Sequence, residues 1–189
     1  MKNEKKILKD LYKFNQETNS YIVEVKLKSY TDIFNELDPS PIKKRDLDQD
    51  FISYMDDSFE YLPLNCKVEL HFHIPEKYED IEKEKRIRTG IKNYYDFMML
   101  FVMKQIKKLR KEVGIFILIS VFSLFTSFFL SSTVETNYFY KIIIEGFNIG
   151  GWVFLWEAIN IIIFKIRKLK DEIVRYERIS TTPINFFSK

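Results

Sequence analysis

His71 and His73 are the only histidines among 189 residues, and they stand two apart beside Glu69. Imidazoles at that spacing on a strand can ligate zinc, with a carboxylate as a third ligand. No Cys or Asp lies at ligand spacing nearby, so the simpler expectation is a solvated strand face and no metal. Cys66 is the single cysteine, which excludes a disulfide framework; its place in an alternating segment suits a small buried thiol. The acids Asp46, Asp48, Asp50, Asp56 and Asp57 suit a helix cap and a solvated face better than a catalytic pair. No G-x-x-x-x-G-K-[ST], G-x-G-x-x-G or G-x-S-x-G is present, and four of the five glycines fall in apolar stretches. These observations name no catalytic residue and no cofactor, and the chain reads as non-enzymatic.

The one constellation that suggests a ligand is basic. In Asp38-Pro39-Ser40-Pro41-Ile42-Lys43-Lys44-Arg45-Asp46-Leu47-Asp48, two prolines stiffen a loop and three consecutive bases precede an expected helix start. Bases beside a helix N-terminus suit an anion, either an anionic lipid or a phosphate-bearing ligand. The plainer alternative is a rigid turn whose bases are solvated or neutralised by the acids that follow. Nothing in the pattern asks for nucleic acid.

What must position these residues follows from the distribution of charge. The net charge is +3, from 30 Lys and Arg against 27 Asp and Glu. Residues 114–164 carry only four charges, Glu135, Lys141, Glu145 and Glu157, while the other 138 positions carry 53. The chain is therefore not one uniform globule. Residues 114–132 are uncharged, and 142–164 are interrupted only by Glu145 and Glu157. About 20 apolar residues at ~1.5 Å rise cross a hydrocarbon core of roughly 30 Å. Both stretches read as transmembrane helices joined by an external loop over 133–141. Lys104, Lys107, Lys108, Arg110 and Lys111 precede the first; Lys165, Arg167, Lys168 and Lys170 follow the second. Lysine and arginine favour the cytoplasmic side. The expectation is a multi-pass protein of the inner (plasma) membrane, with both termini cytoplasmic and these bases against anionic lipids.

Within the spans, small residues recur: Ser123, Ser127 and Ser131 in the first, Gly146 and Gly150 in the second. Small residues let helices approach closely in lipid, so Ser123, Ser127, Gly146 and Gly150 are expected to line the hairpin contact. The intramembrane polar residues Glu145, Asn148, Glu157 and Asn160 repeat a Glu-x-x-Asn twelve positions apart. A charge near the centre of a span costs roughly 2.5–3.5 kcal/mol. Glu145 is therefore expected to pair with Lys141, and Glu157 to reach Lys111 or take up a proton. Helix packing is the simpler role, and an ion path through an oligomer is the other. A homo-oligomer or a partner membrane protein is expected.

The remainder reads as α+β, a small cytoplasmic sheet-plus-helix domain over 1–78. Residues 21–28 and 66–74 alternate strictly, with Tyr21, Val23, Val25 and Leu27, then Cys66, Val68, Leu70, Phe72 and Ile74, on the buried face. Between them a helix from Asp46 to about Tyr61, capped by Asp46, presents Leu47, Phe51, Met55 and Phe59. Two strands are too few, so a third, or pairing with another subunit, is required. From Glu79 a helical stalk runs to 113 with a seam of Ile87, Ile91, Tyr94, Met98 and Phe101. A cytoplasmic helix and tail over 165–189 should pack on stalk and sheet, with Ile184, Phe186 and Phe187 docking.

The order of a strand, the D-P-S-P…R-D-L-D segment at 38–48, a strand ending His73-Ile74-Pro75, a long helix and the span Glu145-Gly146-Phe147-Asn148-Ile149-Gly150-Gly151-Trp152…Trp156-Glu157 resembles a group of uncharacterised bacterial two-span membrane proteins. That resemblance covers nearly the whole chain and implies the architecture and a prokaryotic inner membrane, with no activity to carry over. The expected function is a binding, sensing or scaffolding membrane subunit. The alternative is a membrane-perturbing or ion-conducting oligomeric effector, of the kind found in bacterial immune systems.

Overall fold

The structure is a computed structural model that describes Leu8, residues 11–133 and residues 137–188. It divides into two compact units, Met1–Met99 with Val174–Lys189, and Leu100–Ile173.

The first unit is built on a mixed four-stranded sheet. β1 (Lys13–Asn15) and β2 (Ser20–Lys26) form an antiparallel hairpin, turning through Asn19 at φ 55°, a left-handed conformation that asparagine tolerates. β3 (Lys67–Ile74) runs parallel to β2, and β4 (Ile184–Ser188) parallel to β3, in the order β1-β2-β3-β4. The register sets Val23 beside Leu70 and Val25 beside Phe72, with Phe186 beyond. Alternation therefore stacks one apolar face, on which Val23, Leu70, Phe72 and Ile74 are at most 2% exposed. The C-terminal tail does more than dock, since it supplies the strand that two alternating segments alone would lack.

α1 (Gln49–Tyr61) returns the chain from β2 to β3. Its stripe is the one the spacing predicts, with Phe51, Met55 and Phe59 buried and Leu47 beside them. The cap differs from expectation. Asp48, not Asp46, accepts from the Asp50 and Phe51 amides. Asp46 is instead held in the preceding loop, where its own amide donates to Asp38.

α2 is one helix, Ile81–Thr133. Its opening turns belong to the first unit, not to a separate stalk, because the sheet needs them as cover: Ile87, Ile91 and Tyr95 are at most 1% exposed and join the core. Tyr95 rather than Tyr94 is the innermost ring, an i, i+4, i+8 run that α-helical geometry keeps on one face. The end of α4 (Ile166–Thr181) is fixed to the same core. Arg178 donates to the Leu62 carbonyl at 3.0 Å and the Cys66 carbonyl at 2.9 Å, and its guanidinium lies 5.6 Å from the Phe59 ring centroid. Ser180 donates to Asp96 at 2.6 Å.

The sheet's other face is not the solvated surface that alternation alone suggests. Glu69 is 7% exposed, and His71 and His73 lie under Phe187 of β4, with ring centroids 4.7 and 5.7 Å away. The strand that completes the sheet also brings an aromatic ring to that face.

In the second unit, α2 and α3 (Tyr138–Asn160) pack as an antiparallel hairpin. Both helices are long and apolar enough to cross a membrane. On α2, Val102, Ile106, Leu109, Val113, Phe116, Ser120, Ser123, Ser127 and Leu130 follow alternating steps of four and three and are less exposed, with Glu112, Leu124 and Thr126 half-buried beside them. From α3 into the next turn, Ile144, Phe147, Gly151, Phe154, Ala158 and Ile161 are less exposed in steps of three and four, with Asn148, Gly150, Leu155, Glu157 and Ile159 half-buried beside them. Steps of that kind are the signature of a left-handed helix pair. Beyond Ile161 the step is five, to Ile166, and there the backbone makes a π-turn over Ile161–Lys165 with the Ile166 amide donating to the Ile161 carbonyl. One extra residue in the turn keeps Ile166, Leu169 and Ile173 in line with the seam above it. Part of the expected external loop, 134–136, lies outside the described residues; α3 begins at Tyr138, capped by Asn137, whose side chain accepts from the Phe139 amide.

Candidate functional site

The basic loop is shaped by its acids. The Asp38 carboxylate accepts from the Ser40 amide at 2.9 Å and the Asp46 amide at 2.7 Å, closing the loop at both ends. These amides, first the Asp46 N–H, hold the Asp38 carboxyl below the usual range. The Pro41 carbonyl accepts from the amides of Lys44 and Arg45, a turn that projects three consecutive bases. The loop then seats on α2. The Asn93 amide donates to the Lys43 carbonyl at 2.8 Å. A Cβ at Gly90 would stand 2.6 Å from the Ile42 carbonyl oxygen, so only glycine permits this approach.

Lys43, Lys44 and Arg45 thereby share one cavity of about 300 Å³ with Asp46, Asn93, Tyr94 and Phe97. Arg45 Nε is buried and has no hydrogen-bond partner among the described residues. A guanidinium N–H left in that state is costly unless an acceptor meets it. The expected association with a helix start does not hold: the Asp48 carboxylate already occupies the first amides of α1, so no anion can reach them. The opposing wall is α2, and the site is a cleft of three cations facing an amide and two aromatic rings.

A second polar cluster lies on the outer face of the sheet. Ser20 donates to Glu69 Oε1 at 2.6 Å, and His71 Nε2 meets Glu69 Oε2 at 3.1 Å. These contacts, the Ser20 hydroxyl foremost and then Thr18, hold the Glu69 carboxyl down to about 2. The order Ser–Glu–His is wrong for a nucleophile, because the hydroxyl faces a carboxylate and no imidazole is placed to take its proton. His73 Nε2 meets Glu24 at 3.1 Å, and Lys13 caps the same carboxylate at 2.8 Å. Among the described residues no three His, Cys, Asp or Glu side chains are placed to share a metal ion. This cluster fastens strands together.

In the hairpin the α2 serines fall where small-residue spacing places them, while the close contact on α3 falls one residue away. Ser123 and Ser127 are buried in the seam, and Ser127 donates to the Ile144 carbonyl at 3.0 Å. Ser131 instead bonds its own helix, at the Phe128 carbonyl, and Ser120, 1% exposed, takes its place in the seam. Gly150 has Ser123 Oγ at an ordinary 3.9 Å from its Cβ position, and Gly146 has nothing within 4 Å. The close approach belongs to Gly151, whose Cβ would stand 2.6 Å from Leu124 Cγ. Continuing the α2 seam in steps of three and four from Val102 leads to Ser120; on α3 the G-x-x-x-G motif pointed to Gly146 and Gly150 because it records size and not direction.

The acids of the second apolar stretch also differ from expectation. Glu157 is bound by Lys165 at 3.1 Å and by Asn160 at 3.4 Å, not by Lys111. The π-turn explains the partner. Residues eight apart stand about 80° from each other around a regular helix, and the one extra residue in the turn brings Lys165 closer to the Glu157 face. Lys141 lies over the Tyr138 ring, 5.9 Å from its centroid, and no ion pair joins it to Glu145 among the described residues. Glu145 is exposed and Asn148 half-buried on α3.

No protein-family model, curated protein or solved structure matches the chain.

Proposed function

We propose that the chain is an integral protein of a prokaryotic inner membrane, with both termini cytoplasmic, whose sheet domain binds a phosphate-bearing anion. It acts as a sensing or scaffolding subunit and not as an enzyme. The observation that carries the membrane reading is exposure. Only 17% of the most apolar stretch in α2, and 22% of that in the helices from Tyr138 to Thr181, is buried. A core helix of a soluble protein buries its apolar surface, and these leave theirs for lipid. Ligand binding is supported by the three-cation cleft and by the unpartnered Arg45 Nε. A conducting role gains less support, since Lys165 already neutralises Glu157.

Topology is tested with single cysteines at Thr136 and at Ser188 in a Cys66→Ser background. An impermeant thiol reagent on intact cells should label the first and spare the second. Labelling of both from outside removes the orientation. For the ligand, purified full-length protein is titrated with inorganic pyrophosphate and, separately, reconstituted with phosphatidylglycerol or with phosphatidylcholine. Binding of pyrophosphate that Lys43→Glu/Lys44→Glu weakens by tenfold or more (about 1.4 kcal/mol) supports a soluble ligand. A dependence on phosphatidylglycerol alone assigns the cleft to a lipid headgroup. The same pyrophosphate affinity in the charge-reversed variant would overturn the site.

A further inference from the structure

We infer that α3 carries a second helix-packing stripe, built to meet the same stripe of a second copy of this chain; the inference rests on the membrane reading above. Gly146, Gly150, Val153, Glu157 and Asn160 follow one another in steps of four, three, four and three, the same rhythm as the seam that faces α2. Of these only Gly150 touches the hairpin, with Ser123 Oγ at an ordinary 3.9 Å from its Cβ position. Gly146 meets nothing within 4 Å of its Cβ position, Val153 is 59% exposed, and Asn160 is exposed. What makes this stripe more than a row of small residues is its polar end. The Glu157 and Lys165 side chains are 40% and 52% exposed, and Asn160 reaches the same carboxylate. Around them are Trp156, Ile163 and Phe164, all largely exposed. An ion pair and an amide facing lipid are poorly solvated, and polar side chains at this depth turn toward protein.

The occupant follows from complementarity. Two copies inserted with the same topology hold equal residues at equal depth, so a two-fold, parallel pairing sets glycine against glycine and polar end against polar end. The Asn160 amide of each copy can then donate to the Glu157 carboxylate of the other, while each Lys165 stays paired with its own carboxylate. Close approach at Gly146 and Gly150 brings those groups within reach. The acceptor, the donor and the space are all supplied by one sequence, and a second copy adds hydrogen bonds that an apolar partner could not offer to the exposed amide and ion pair.

The test uses the full-length chain in native membrane vesicles, in a Cys66→Ser background. Val153→Cys, on the stripe, should cross-link to a dimer under mild oxidation, and Trp152→Cys, one position around the helix, should not. In detergent, Gly146→Leu should raise the dimer dissociation constant at least tenfold while leaving the helical circular dichroism unchanged, because the added side chain enters open space. Asn160→Leu should weaken the dimer in the same direction. Equal cross-linking at Val153 and Trp152, or an undisturbed dimer in both variants, would overturn the proposal. Extraction of the protein from vesicles by alkaline carbonate would overturn it together with the membrane reading. An integral but monomeric protein would overturn this inference alone.

Discussion

Gly151→Leu is expected to abolish the stable hairpin of the second unit, and Gly151→Ala to lower its stability by about 1–3 kcal/mol, the usual cost of overpacking. A Cβ at Gly151 would stand 2.6 Å from Leu124 Cγ, 2.8 Å from Cδ2 and 3.2 Å from the Leu124 amide nitrogen. The side chain could rotate away, but the backbone nitrogen moves only if the whole helix does. Such a shift would also lengthen the 3.0 Å bond from Ser127 to the Ile144 carbonyl. Gly114 is the control: its Cβ position has nothing within 4 Å, so Gly114→Ala gains helix propensity at no steric cost. Thermal unfolding of the full-length chain in detergent decides the matter. Equal melting temperatures for Gly151→Ala and Gly114→Ala would show that α2 and α3 do not meet at this point.

The second large effect concerns Glu69 and acid. Its carboxyl is held down to about 2 by the Ser20 hydroxyl and its neighbours, against an ordinary value of 4.5. A lowered folded-state pKa means that the unfolded chain binds the proton more readily. The resulting stability is therefore present above about pH 4.5 and is lost as the pH falls toward about 2. With its side chain only 10% exposed, the shift corresponds to roughly 3 kcal/mol at neutral pH. Glu69→Gln should forfeit most of that at pH 7 and flatten the acid limb of a denaturant-midpoint profile. Glu69→Ala should cost more, because Ser20 Oγ and His71 Nε2 both lose an acceptor inside the sheet. An acid limb as steep in the Gln variant as in the parent would assign the pH dependence to other carboxylates.

Periodicity and charge were enough to determine the local elements. Alternation over 21–28 and 66–74 yields two strands with the buried residues as spaced, except that Cys66, expected as a buried thiol, is half-buried ahead of β3, and the i, i+4 run of Phe51, Met55 and Phe59 yields α1 with its correct inner face. The long uncharged stretches yield two helices able to span a bilayer. These features depend on the pitch of one element and on the transfer of its side chains from water, and both are written in neighbouring residues.

What the tertiary structure decided is pairing and direction. β4 is a strand because it finds the open edge of β3, 110 residues or more away in the chain; its own five residues show little of that. Once there, Phe187 turns His71 and His73 from a solvated face into a half-buried one. Gly151 rather than Gly150 takes the helix contact, and Lys165 rather than Lys111 takes Glu157, because the seam and the π-turn set which way each side chain faces. The three bases were legible as a charge run, but their cavity exists only where Gly90 lets the loop touch α2. A residue type specifies what a side chain can bond; which neighbour it bonds depends on a rotation of about 100° per residue, and only packing against a second element selects that angle.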